Sequence, residues 1–380
     1  MRISEIINEE VQVGKKHLTH PEDLAAFYGT EGANFALNAI LNTVKNPTKI
    51  TIKYDGYPAI VWGYDNNGRF IVVDKHMFDK KDGSGRQIFS ANDFINYDRA
   101  RGIDRSGLHN AIANAWQGLQ SSTPKTPGFY WGDMLFGTQL QPQKIGDRNM
   151  FVFKANPRGL TYNIDAESDL GKVLQGKSVG IAVHQFIPAT SSTAEDAVSL
   201  DGTLGNLKPS GDVAIIPAKL PITPQLKLTA KQINFVKTTI NANAAAVNQF
   251  FATMPISQNT WIGSLIGPFI NQEMIKNNNL NDLTKRSYKF VIDKAPSNRM
   301  KATLEPWLQE QQKGLAGMWT MWAAIYNLKN SLIPQLEQAA QASPVKGYLD
   351  TGVESQEGYV SSGVKFVDRT GFSAQIHAKR

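Results

Sequence analysis

Lys53-Tyr54-Asp55-Gly56 is the segment of this chain best equipped for chemistry. A lysine two residues before a carboxylate, with a glycine next, presents an amine at a turn. Burial or a neighbouring cation favours the free amine that a nucleophile needs. The same four residues also fit a plain surface lysine beside a turn, so the rest of the chain must decide. The second chemical feature is Asp133, inside the apolar run Phe129-Tyr130-Trp131-Gly132-Asp133-Met134-Leu135-Phe136. A carboxylate there is costly unless it is paired, solvated at a cleft or bound to a metal. The third is Glu357-Gly358-Tyr359-Val360, followed by Gly363-Val364-Lys365-Phe366.

The elements that must position Lys53 are strands over 49–54, 59–64 and 70–73, with alternating or continuous β-forming residues. Asp65-Asn66-Asn67-Gly68 supplies the hairpin turn between the last two. Gly56 allows a turn after Lys53, and Pro58 fixes φ ahead of the next strand. Upstream, residues 1–12 fit a short helix. His20-Pro21-Glu22-Asp23 is a helix start with acids in its first turn. Phe35, Leu37, Ile40, Leu41 and Val44 then give an apolar face, which we expect to pack behind the sheet carrying Lys53. His17 and His20 read as surface or capping residues rather than ligands.

Residues 74–86 read as a basic loop. Its Lys75, Lys80, Lys81 and Arg86 fit phosphate contacts and a solvated loop equally well. Helices are expected over 91–97 and 108–119. Strands are expected over 150–153, 160–164, 179–186 and 213–216, with 217–224 as a connection. Phe186 reads as a core aromatic at the end of the 179–186 strand, with His184 two residues before it. From about 224 the period becomes helical, over 228–254, 261–276 and 304–342. Leu315, Trp319, Trp322, Ile325 and Tyr326 form a core stripe there. Lys285, Arg286, Lys289, Lys294, Arg299 and Lys301 form a basic neighbourhood that fits a strand-binding surface or a solvated helix face.

At 380 residues the chain is long enough for two domains. It has no cysteine, which excludes disulfides, thiolate nucleophiles and cysteine-held metal sites. No signal peptide is read at the N-terminus, and the most apolar stretch, 314–328, is too short to span a bilayer. We therefore expect no membrane partner and a cytoplasmic location. The formal charge of +7 favours an anionic partner without naming one.

Lys53-x-Asp55-Gly56, Gly132-Asp133-Met134-Leu135, Glu357-Gly358 and Val364-Lys365 with Phe372-Ser373 follow one another in the order of a known motif set. Together they resemble the covalent nucleotidyltransferases: ATP-dependent DNA ligases, RNA ligases and mRNA capping enzymes. KYDGYPAIVWG and EGYV…VKFVDR are also similar to ligase-like proteins of large tailed phages, which would put the chain in a host cytoplasm. The resemblance covers about 48–216 and 347–380. Aspartate stands at 133 where the family has glutamate, Pro58 stands where DNA ligases carry arginine, and Val367 stands near the place of a second lysine.

The resemblance implies an α+β fold: an antiparallel, ATP-grasp-like ligase adenylation domain carrying Lys53, Asp133, Glu357 and Lys365 on its sheet. That domain would comprise 1–223 and 347–380, with a helical domain inserted at 224–346 and no C-terminal OB domain. It implies Lys53 as nucleophile and Lys365 on the α-phosphate. Asp55, Gly56, Lys75 and Phe186 would form the nucleotide pocket, with Phe186 or His184 stacking on the base, and Asp133 and Glu357 would hold Mg²⁺ or Mn²⁺. ATP would be the cosubstrate and a nucleic-acid end with a 5′-phosphate the partner, RNA slightly ahead of DNA. Two alternatives stay open: a ligase-fold phage accessory or structural protein without turnover, and an adenylyltransferase acting on another target.

Overall fold

A computed structural model of the chain describes residues 19–53, 56–157, 159–276 and 280–373. The expected helix over 1–12, His17 and Asp55 lie outside them. The architecture is α+β, and the chain divides into two compact units. The first is built from 51–221 and 341–357. The second is built from 19–50, 222–340 and 358–373. The helical segment thus begins close to the expected boundary. It is joined by an N-terminal helix and by the strands around Lys365, both of which we had expected in the sheet-bearing domain.

The main sheet of the first unit has six strands. β2 (Ala59–Tyr64), β3 (Phe70–Asp74), β4 (Gly128–Phe136), β8 (Val179–Ile187) and β10 (Val213–Pro217) run in the order β10-β8-β4-β2-β3. β9 (Val198–Ser199) adds to β8. Every pair is antiparallel except β8 with β10, which is parallel. β2 and β3 are buried along nearly their whole length, so both faces are covered and neither strand shows simple alternation. The β2–β3 turn is the one expected: Asp65 Oδ1 accepts from the Asn67 and Arg69 amides, and Gly68 has φ +73°. A helix over Ser106–Ser122 brings Ile112, Ala115 and Leu119 into the same core. A smaller antiparallel sheet, β12-β7-β6-β5, joins Val345–Tyr348 to Thr161–Asp165, Arg148–Phe153 and Gln143–Ile145. It explains why 341–357 belongs to this unit.

β1 (Ile50–Lys53) lies apart from the main sheet and pairs with β11 (Lys219–Ile222). Lys53 and Asp133 therefore do not share a sheet, which corrects the single-sheet expectation. β11 falls where we had read a connection, because Pro217 and Pro221 break the strand signal. It is an edge strand, where a proline without an amide is tolerated.

A buried ion cluster anchors the segment after β3. Asp98 is fully buried and accepts from Arg105, from Arg101 at 2.6 Å and lies 2.9 Å from His109 Nε2. Arg105 also donates to Asp74 at 2.7 Å, and Asp74 caps the next short helix, Lys75–Phe78, by accepting from the Met77 amide. The start of the expected loop is thus a capped helix.

The second unit is a helical bundle with a β-hairpin. α1 (Pro21–Lys45) starts where the acids predicted, and is broken at Gly29, with φ +59°. A Cβ at Gly29 would lie 2.9 Å from Phe251 on α6 (Ala230–Ala252). α10 (Gln312–Asn330) packs against α1 and α6. Its Gly314 and Gly317 let it approach α6, since a Cβ at Gly314 would lie 2.6 Å from the Ala246 carbonyl. The stripe Leu315, Trp319, Trp322, Ile325 and Tyr326 is core, as expected. α1 packs on these helices rather than serving only as backing for a sheet. No helix among the described residues is long and apolar enough to cross a membrane.

Asp98 supports a stability prediction. Burial raises its carboxyl pKa, but His109, Arg105 and Arg101 outweigh that and hold it below the ordinary value. Its folded value being depressed, the group stabilises the fold fully above the unfolded carboxylate value of about 3.9. That contribution is lost as pH falls through the lower folded value. Asp98→Asn should lower stability at pH 7 by about 3 kcal/mol, because it takes the carboxylate from Arg101 and leaves Arg105 with Asp74 alone. The gap between variant and wild type should close toward pH 2, which thermal melts across that range would measure.

Candidate functional site

Lys53 ends β1. Ile50 and Ile52 point into the core, so the alternation puts Lys53 on the other face, half-buried. The chain after it is tied to β4. The Tyr57 amide donates to the Met134 carbonyl at 2.9 Å, and the Met134 amide donates to the Pro58 carbonyl at 3.0 Å. A Cβ on Gly56 would lie 2.1 Å from that Met134 oxygen. Gly56 is therefore required by close approach. The Tyr57–Pro58 bond is cis, and the Tyr57 side chain is exposed.

Asp133 is the neighbour of Met134 and pairs with Ala59, the first residue of β2. Residues directly opposite in an antiparallel pair share a face, and Asp133 shares its own with Trp131, two residues earlier. On β8 the register shifts between Trp131 and Gly132: Gln185 opposes the first and Val183 the second. His184 is the extra residue of this β-bulge, and bulges re-aim side chains. Its Nε2 lies 3.5 Å from Asp133 Oδ1, and its ring centre lies 5.1 Å from that of Trp131. Lys75 Nζ lies 5.2 Å from the Trp131 ring and forms an ion pair with Asp79. Asp79 also accepts from the Ala194 amide at 2.7 Å. Burial raises the Asp79 carboxyl, but Lys75, the Ala194 amide and Thr193 together hold it below its usual range.

Lys75, Trp131, Asp133 and His184 are thus gathered in one chain of contacts. Phe186 is not among them. It pairs with Tyr130 and packs on its ring, centroids 5.3 Å apart, which puts it on the face opposite Asp133. Of the two stacking candidates, His184 is the one on the Asp133 side. Lys80 and Lys81 are exposed, and the Arg86 guanidinium lies over Phe78.

Lys219 on β11 was missed by the sequence reading. Its ammonium is largely buried, donates to Ser199 Oγ at 3.2 Å and lies 3.9 Å from Asp201. Burial lowers its pKa; Asp201 opposes this and the charge of Lys53 adds to it. Its one sequence signal is a lysine flanked by Ala218 and Leu220 just after an apolar strand.

Glu357 closes the first unit and is half-buried. Gly358, in the second unit, has φ +152°, and a Cβ there would lie 2.6 Å from Val367 Cγ2, so the glycine of this Glu-Gly pair is required. It opens β13 (Gly358–Ser361), which pairs with β14 (Val364–Phe366) through a turn at Ser362 and Gly363, both with positive φ. Lys365 is half-buried on β14, opposite Val360, and its amide donates to the Thr19 carbonyl. Among the described residues no group of three or more His, Asp or Glu side chains is gathered as a metal cage. A Mg²⁺ held mostly by phosphate oxygens and water needs only one or two carboxylates, and Asp133 suits that role.

The basic neighbourhood falls on two helices of the second unit, Leu283–Lys294 and Asn298–Glu310. Lys285, Lys289, Lys294 and Arg299 are exposed, and Lys301 is half-buried. Arg286 pairs with the buried Glu273 at 2.6 Å, so its charge is used internally.

Gly56→Ala should destabilise the chain by about 1–3 kcal/mol, the usual range for overpacking a filled site. Urea titration would measure it. An unchanged midpoint would mean that the loop does not lie against Met134.

A family model described as a family of unknown function (DUF6267) matches residues 15–377. No curated protein and no solved structure matches the chain.

Proposed function

We propose that this chain, which belongs to the DUF6267 family, is an ATP-dependent adenylyltransferase of the polynucleotide-ligase type. The observation carrying this reading is the tie between the Lys53 loop and the Asp133 strand: Gly56 and Tyr57 lie directly against Met134. It brings an amine-bearing segment beside an acidic one within a single unit.

In this reaction Lys53 Nζ attacks the α-phosphorus of ATP. A P–N bond forms, the bond to the bridging oxygen of the β-phosphate breaks, and pyrophosphate leaves with that electron pair. The amine must lose its protons, and water around the cleft accepts them. Asp133 and Glu357 would hold Mg²⁺ or Mn²⁺ with several waters, and the ion would supply charge neutralisation at the phosphates. Gly56 and Lys75 would line the nucleotide pocket, and His184 replaces Phe186 as the stacking candidate. AMP then passes to a 5′-phosphate end, and a 3′-hydroxyl displaces it. Exposed Lys285, Lys289, Lys294 and Arg299 are the candidates for backbone contacts with that strand.

Incubation with α-labelled ATP and Mg²⁺, followed by denaturing electrophoresis, should leave label on the protein. Lys53→Ala should abolish it, and so should Lys53→Arg, because guanidinium stays protonated. Label surviving either change, or none on the wild type, would overturn the assignment. Sealing assays on nicked RNA, nicked DNA and single-stranded RNA would then identify the acceptor.

Neutralising Lys285 and Lys289 together should weaken strand binding and flatten its salt dependence by about one log–log unit for each phosphate left unneutralised. Arg286→Gln should instead lower stability, since it removes the cation that pairs with the buried Glu273. An unchanged salt slope for the lysine pair would remove these helices from the binding surface.

A further inference from the structure

We propose that Lys53 and Lys219, with Ser199, form an anion site for a phosphate ester or polyphosphate. β1 and β11 are neighbouring strands, and each contributes one lysine to the same electrostatic neighbourhood. Two like charges on adjacent strands disfavour each other, and a largely buried ammonium adds a desolvation cost. The side chain of Lys219 is only 16% exposed, so this cost is real. Its compensation within the protein is thin. Asp201 is 3.9 Å away and 85% exposed, so its charge is heavily screened. Ser199 Oγ accepts one of the three ammonium N–H donors.

Such an arrangement is a poor structural ion pair and a good receptor. A dianionic phosphate offsets both ammonium charges, accepts the remaining donors of Lys219 and can take the Ser199 hydroxyl as a further donor. Asp201 also holds the turn beside Ser199, since its amide donates to Ser199 Oγ and its carboxylate accepts from that hydroxyl. It is thus placed to compete with the incoming anion for both groups. The site stands without adenylyl transfer; that its phosphate belongs to a nucleotide rests on the function proposed above.

The test is calorimetric titration of the full chain with tripolyphosphate, with no nucleotide or metal present. Lys219→Met keeps the side-chain volume and should weaken binding about tenfold or more, the loss expected for a charge-assisted hydrogen bond. Lys219→Arg should restore part of it. Asp201→Asn should tighten binding by removing the competing carboxylate. Lys208, an exposed lysine of the same unit, controls for overall charge. Lys208→Met should leave the affinity within about twofold, as expected for a screened surface charge. Melting curves on each variant establish that it is folded. Equal affinity in wild type and folded Lys219→Met, or an equal loss in Lys208→Met, would overturn the site. Tripolyphosphate binding that depends on Lys219 in a chain that takes no label from ATP would leave this site standing and remove the adenylyltransferase reading instead.

Discussion

Four charged side chains are buried together in the second unit, and its construction depends on them. Glu22 and Lys329 are fully enclosed, and Asp23 and Arg369 nearly so. Each ion costs several kcal/mol to take out of water, which only well-aligned partners repay. Lys329 Nζ donates to Glu22 Oε1 at 2.8 Å and to the Val367 carbonyl at 2.9 Å. Arg369 grips both oxygens of Asp23, at 2.6 and 2.7 Å, and the Trp322 indole donates to the same carboxylate. Burial lowers the Lys329 amine despite the opposing pull of Glu22. These residues come from the first turn of α1, from α10 and from the segment after β14. No one of them can be buried without the others, so the start of α1 is held to two stretches that lie far along the chain. The placement of Lys365, on the strand leading to Arg369, follows from this packing.

In the first unit the comparable constraint is steric. The Met134 carbonyl occupies the space that a side chain at residue 56 would need. The Lys53 loop can reach β4 only because that side chain is missing. The same backbone closes two hydrogen bonds there, so the approach replaces bonds to water rather than forfeiting them. The Asp98 cluster holds the other flank, through Arg105 and Asp74, at the capped start of the helix that carries Lys75.

Features governed by short-range chemistry were legible in the sequence. Pro21 with Glu22 and Asp23 marked the start of α1, Asp65 to Gly68 marked the hairpin, and the tryptophan stripe marked the core of α10. Features governed by distant partners were not. Nothing near Glu22 announces Lys329 or Arg369, so α1 and β14 were assigned to the sheet-bearing domain. β11 was hidden by prolines that an edge strand accommodates. The choice between His184 and Phe186 turns on one inserted residue in β8, which reverses the facing of everything beyond it. Periodicity alone cannot detect that.

Lys53, Lys75, Asp133, His184 and Lys219 share one property: they stand where regular β geometry fails. Lys53 ends β1 and Lys75 follows the last residue of β3. Asp133 opposes the first residue of β2, His184 is the bulge residue of β8, and Lys219 begins an edge strand. The reason is energetic. Strands covered on both faces, such as β2 and β3, offer a charge neither water nor a counter-ion along their length, so the cost of placing one there is prohibitive. Ends, bulges and edges restore access to solvent, to loop amides such as that of Ala194, and to a ligand. Charged groups are therefore held at such irregular places: Lys75, Asp133 and His184 on the main sheet, and Lys53 and Lys219 at the ends of β1 and β11 in another.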